Sequence, residues 1–149
     1  MTIIPYTIDR IPAVVDFETR LRAEEPFFMW DIGEKYQADV ARSFSDPRFD
    51  GCISLLAEED GKVVGRIDAT LVPSRFDGSV KAYLDWICVI KSCRHRGVAQ
   101  SLMNALRAEL RAKGVDTLIA LIAANDEAQR FYRHIEGAEI RDEGMWLTP

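Results

Sequence analysis

The stretch from Tyr83 to Leu110 constrains this chain more than any other, because within a few residues its backbone must pass from sheet to helical hydrogen bonding. Leu84 to Ile90 is almost wholly apolar and holds the β-favouring Trp86, Ile87, Val89 and Ile90, as expected of a strand buried on both faces. The apolar run stops at Lys91. From Val98 onward, Val98, Leu102, Leu106 and Leu110 recur at four-residue intervals with Ala99 and Met103 beside them, which predicts one face of a helix. Gly114 ends that helix, after Arg111 and Lys113 in its last turn.

The junction between the two is basic in an acidic chain. Net charge is −5, yet no carboxylate lies between Asp85 and Glu109, while Lys91, Arg94, Arg96 and Arg107 do. A helix N-terminus exposes unpaired N–H groups at the positive end of its dipole and so receives anions, and Gly97 lets backbone approach such an anion closely. Two readings stay open on these grounds: an anion site, or a plain turn with solvated arginines.

Arg94-His95-Arg96-Gly97-Val98-Ala99 resembles the signature of the general-control-type N-acetyltransferase (GNAT) superfamily, which reads Arg or Gln, two variable residues, Gly, one variable residue, then Gly or Ala. A second segment similar to the family, Asn125 to Gly137, follows at the expected distance. The resemblance implies that acetyl coenzyme A is the co-substrate, with the amides of Arg94, His95, Arg96, Gly97, Val98 and Ala99 on its pyrophosphate. It further implies that backbone groups of Ile87, Cys88 and Val89 pair with the pantetheine arm, beyond the point where two parallel strands splay. Asn125 and Ala128 are the remaining cofactor contacts it implies, and Tyr132 is placed near the thiol. A phenol near pKa 10 is roughly matched to protonating a thiolate whose thiol lies near 8.5 to 9.

The rest of the chain fits that architecture. Ile3 to Tyr6 predicts a short strand, and Asp9 to Glu24 a helix with Pro12 in its first turn. Asp31 with Glu34 resembles a capping box for a second helix through Phe44, after Phe27-Phe28-Met29-Trp30, which can floor a pocket or fill the core. Cys52 to Glu58 and Lys62 to Leu71 predict a hairpin around Glu59-Asp60-Gly61, and Val80 or Lys81 opens the central strand. Val115 to Ala124, with the apolar Leu118 to Ile122, predicts a parallel strand covered on both faces. Asn125 caps a helix over Asp126 to His134 that Gly137 closes, and Ala138 to Arg141 with Met145 to Thr148 can form a final hairpin. The expected fold is α/β (α+β), GNAT-like: a mixed, mostly antiparallel central sheet flanked by helices, with splayed parallel strands 4 and 5, in one domain over residues 1–149.

Composition bounds the function. With 149 residues, 48% hydrophobic and 29% charged, the chain can bury a proper core. A pI of about 5.1 with one short basic cluster argues against nucleic acid, and no apolar run approaches a membrane span. The start of the chain lacks a signal-peptide pattern, so a cytoplasmic location is expected. Cys52, Cys88 and Cys93 are odd in number and lack CxxC spacing, which indicates neither disulfide nor zinc, and no metal is expected.

The function these readings imply is N-acetyl transfer from acetyl coenzyme A to a primary amine of a small molecule or peptide, by direct attack in a ternary complex. The alternative is a catalytically idle acyl coenzyme A sensor. Aminolysis needs a neutral amine, and Asp85, in preference to Asp68 or an ordered water, is expected to take its proton, with Tyr132 as its catalytic partner. A homodimer is left open.

Overall fold

The computed structural model describes residues 1–25, 31–141, 144–145 and 147–148. Five strands form one sheet in the order β1-β2-β3-β4-β5: β1 (Thr2–Pro5), β2 (Cys52–Glu59), β3 (Lys62–Pro73), β4 (Val80–Val89) and β5 (Leu118–Ala120). All neighbours are antiparallel except β4 and β5, which run parallel. The helices are α1 (Ile11–Glu24), α2 (Glu34–Ser43), α3 (Val98–Ala112) and α4 (Asp126–Arg133). By internal contacts the chain divides into two compact units, Met1–Ile119 and Ala120–Pro149.

Local chemistry sets these elements. The β2–β3 connection is a two-residue turn in which Asp60 (φ 51°) and Gly61 (φ 73°) are both left-handed and Glu59 pairs with Lys62. That is the Asp-Gly turn whose twist matches an antiparallel hairpin. Helix α3 ends in a Schellman motif: Gly114, at φ 71°, donates to the Arg111 carbonyl at 3.0 Å, and Val115 donates to Leu110 at 2.9 Å. Val115 and Leu110 are both buried, supplying the apolar contact of that motif.

Alternation along the strands sends two sets of side chains to opposite faces. On one face α3 lies very close to β3. A Cβ added to Gly65 would stand 3.0 Å from Val98 Cγ1 and 3.1 Å from Leu102 Cδ1, so the absence of a side chain lets the helix seat itself. On the other face α1 inserts Val14, Phe17 and Leu21 among Tyr6, Leu56, Cys88 and Ile90, all buried.

Several expectations need correction. The second helix is N-capped by Gly33 without a side-chain bond, because the Asp31 carboxylate instead accepts from the Gly33 N–H at 3.0 Å in a local turn. The aromatic stretch 27–30 lies outside the described residues. Strand β5 is only three residues long and stands at the sheet edge, and Ile119 and Leu121 are exposed rather than covered on both faces. Of the final hairpin, 142–143 and 146 lie outside the described residues, and the described remainder is not strand. No helix among the described residues is long and apolar enough to cross a membrane.

Gly65→Val should force α3 off the sheet and cost about 1–3 kcal/mol of stability, as overpacking of a filled core does. Urea unfolding checks this; an unchanged midpoint would mean that α3 is not held by this contact.

Candidate active site

After β4 the chain makes a single 3₁₀ turn over Lys91–Cys93 and then reaches α3 through two left-handed residues, His95 (φ 59°) and Gly97 (φ 80°). Gly97 is the N-cap of α3 and supplies no side-chain bond; the first helical bond is that from Ser101 N–H to its carbonyl at 2.9 Å. The N–H groups of Val98, Ala99 and Gln100 are therefore left without helical acceptors. Nothing lies within 4 Å of where a Gly97 Cβ would sit, so the space beside the glycine is open. A diphosphate fits such a turn, where successive amides and the helix dipole act together.

The arginines beside the turn are not simply solvated. Arg94 donates from Nε to the Val89 carbonyl at 3.0 Å and from Nη1 to Glu25 Oε1 at 3.0 Å, and its Nη2 meets Glu25 Oε2. These side chains are only 17% and 12% exposed, so the pair is largely withdrawn from water. Glu24 accepts from the Ser92 N–H at 3.1 Å and from its hydroxyl at 2.8 Å. Burial tends to raise the Glu24 pKa, but the Ser92 bonds outweigh that and hold it below the usual range. Arg96 donates to Glu59 at 2.8 Å nearer the surface. The end of α1 and the β2–β3 turn thus bring carboxylates to a segment that has none of its own. Glu24 lies 68 residues from Ser92 in sequence, and no spacing pattern announces the contact.

Of the strand residues expected at the cofactor, Ile87 is half-buried, while Cys88 and Val89 are buried. The Val89 carbonyl already accepts from Arg94. Burial, the largest influence, pushes the Cys88 thiol up to about 12, which keeps it protonated and unreactive. In the second unit Asn125 N-caps α4, its side-chain oxygen accepting from Ala128 N–H at 2.8 Å, and Phe131 meets Tyr132 edge-on with ring centroids 5.3 Å apart.

A second feature lies within the first unit. A cleft of about 790 Å³ opens between α1, α2 and the sheet, and both Asp68 and Asp85 line it. They differ in environment. Asp68 accepts from the Ser54 hydroxyl at 2.6 Å and from Arg66 Nη2 at 3.1 Å, and the pair is 14% and 17% exposed. Arg66 Nε also stands 2.6 Å from Asp68 Oδ2, too obliquely for a hydrogen bond. Burial would lower the Arg66 pKa, and the Asp68 charge more than reverses this, so the guanidinium is held firmly charged. Asp85 instead sits in a β-bulge: Asp68 pairs with Trp86 and Ala69 with Leu84, which leaves Asp85 unmatched and exposed. Among the described residues no cluster of three or more His, Cys, Asp or Glu could hold a metal.

The family profile described as Acetyltransferase (GNAT) family matches residues 17–137. No curated protein sequence gives a match. Among solved structures, an aminoglycoside acetyltransferase from an uncultured soil metagenomic sample, in complex with trehalose, is similar at a TM-score of 0.82 and 16% identity, covering 99% of this chain and 95% of that one. A ribosomal-protein-alanine N-acetyltransferase from Brucella melitensis biovar Abortus is similar at a TM-score of 0.75 and 16% identity, over 99% and 97% of the two chains.

Glu25→Gln removes the charge that faces Arg94 in a mostly dry setting and should cost about 1–3 kcal/mol of stability, read by chemical denaturation. A variant as stable as the parent would show that the pair does not hold the turn. Alkaline pH supplies a further check. Burial, its largest influence, also pushes the Tyr6 hydroxyl up to about 12. Unfolded Cys88 and Tyr6 ionise at about 9 and 10, whereas the folded groups keep their protons to about 12. The stability they confer is fully present below about pH 9 and is lost as pH rises toward 12. Cys88→Ala and Tyr6→Phe should each flatten that loss when unfolding is followed against pH.

Proposed function

Because the chain belongs to the acetyltransferase (GNAT) family, we propose that it is an acetyl coenzyme A-dependent N-acetyltransferase acting on a primary amine, with residues 1–149 as one functional domain. The observation that carries this reading is the uncapped start of α3 behind a left-handed Gly97 with open space beside it. When bound there, acetyl coenzyme A supplies the acetyl group as a thioester.

The backbone N–H groups from His95 to Ala99 would hold the diphosphate; the Arg94 N–H already donates to the Lys91 carbonyl at 3.2 Å, and the Arg94 side chain, fixed by Glu25, keeps the turn in shape rather than meeting phosphate itself. Backbone groups of the Ile87 to Val89 segment that are not paired with β3 would orient the pantetheine arm, with Asn125 and Ala128 contributing from the start of α4. Asp85 is the better general base of the two aspartates, because Asp68 is committed to Arg66 and Ser54. Asp85 takes the proton of the incoming ammonium, directly or through a water, and the neutral amine then forms the amide bond in the ternary complex. Tyr132 returns a proton to the departing sulfur, so that the products are the amide and the free thiol. Acetyltransferases of this fold that act on aminoglycosides and on a ribosomal protein are consistent with an amine acceptor.

Gly97→Asp, which places a carboxylate where the diphosphate would lie, should abolish acetyl coenzyme A binding in calorimetry while circular dichroism stays native. Equal affinity for wild type and variant would contradict this placement. In a thiol-release assay across an amine panel, Tyr132→Phe should lower turnover by about 10²-fold or more. Tight cofactor binding without turnover of any amine would instead identify an acyl coenzyme A sensor.

A further inference from the structure

The cleft carries a charge imbalance that its own pairing does not remove. Glu18, 2% exposed, meets Arg22 at 2.7 Å and Arg66 at 3.8 Å. Asp39 meets Lys35 at 2.6 Å and also Arg42, and Asp68 is held by Arg66. Asp50, just after the 3₁₀ turn Pro47–Phe49, and Asp85, at the β4 bulge, also line the cleft. Among the described residues neither has an ion pair or a side-chain hydrogen bond.

A second observation is independent of this charge. Tyr6 is 7% exposed and lines the same cleft; its ring meets Phe44 edge-on at 5.3 Å and lies 5.0 Å from Arg66 Cζ. Among the described residues its buried hydroxyl has no hydrogen-bond partner. An unmet buried hydroxyl costs free energy that a ligand atom can recover.

We propose that the cleft takes a small acceptor with two cationic amino groups, one at Asp85 and the other at Asp50, with a polar atom of the same molecule bonded to the Tyr6 hydroxyl. A single ammonium would leave one carboxylate uncompensated, and an anionic acceptor would be repelled by both. A cleft of about 790 Å³ suits a small molecule. The inference rests on the acetyl-transfer reading for what becomes of the bound amine, but binding can be measured apart from it.

Calorimetry on the full chain, with butylamine against putrescine as a matched pair, should show putrescine bound about fivefold more tightly at low ionic strength, the scale of one exposed charge pair. The preference should shrink as salt screens it and vanish in Asp50→Asn; Tyr6→Phe should leave putrescine, which has no third polar atom, unaffected and weaken the binding of a hydroxyl-bearing diamine, 1,4-diaminobutan-2-ol. Equal affinities, no binding of either amine, a preference that survives Asp50→Asn, or a lysine-bearing peptide that outbinds both would overturn the inference. Thiol release with both amines alike would sink this proposal and leave acetyl transfer standing. A putrescine preference in binding with no thiol release would do the reverse.

Discussion

The structure depends on how the chain leaves β4 and enters α3 without a side-chain cap. A strand can end anywhere that its pairing ends, but a helix begins with N–H groups that no earlier carbonyl can accept. Here the turn is wound through His95 and Gly97 in the left-handed region, and the space beside Gly97 is open. Such a turn holds its shape only if both flanks are fixed. β4 is fixed by its register with β3, α3 by its approach to Gly65, and the turn by the carboxylates that close α1. Helix α1 is therefore part of the turn's support as well as a cover for the sheet.

The same helix also explains the floor of the cleft. A buried carboxylate is costly unless paired, and Glu18 is reached by Arg22 from its own helix and by Arg66 from β3. Arg66 in turn engages Asp68, which holds Ser54 on β2. This chain of contacts ties α1 to two strands by directional bonds, whereas the neighbouring apolar cluster would tolerate small slides. Its value lies in fixing positions more than in net stability, because desolvation consumes most of the Coulombic gain.

How much of this was legible in the sequence follows the range of each interaction. Periodicity marked β4 and α3, turn chemistry marked Asp60-Gly61 and Gly114, and Asn125 was readable as a cap because each signal lies within a few residues. The basic turn was legible too, through a short pattern with one glycine. The carboxylates that neutralise it were not, since Glu24 and Glu25 reach Ser92 and Arg94 only through the packing of α1. Apolar composition overstated β5 for a related reason: Leu118 to Ile122 has the residues of a covered strand, but its extent is set by pairing that ends at Ala120.

Asp68 and Asp85 show most clearly what the fold adds to the residue types. Each is an acid within an apolar strand pattern, and nothing local separates them. Pairing does. In register, Asp68 faces a strand neighbour that can bond it and a cation beside it, and its carboxylate is consumed in holding the cleft floor. One extra residue in β4 breaks the alternation at Asp85, so that it has no partner opposite and stays exposed at the cleft. A carboxylate already saturated with donors is a poor proton acceptor, because a proton must displace bonds that favour the ionised form. The proposed assignment of Asp85 thus rests on a single inserted residue, which exempts one of two similar aspartates from structural service.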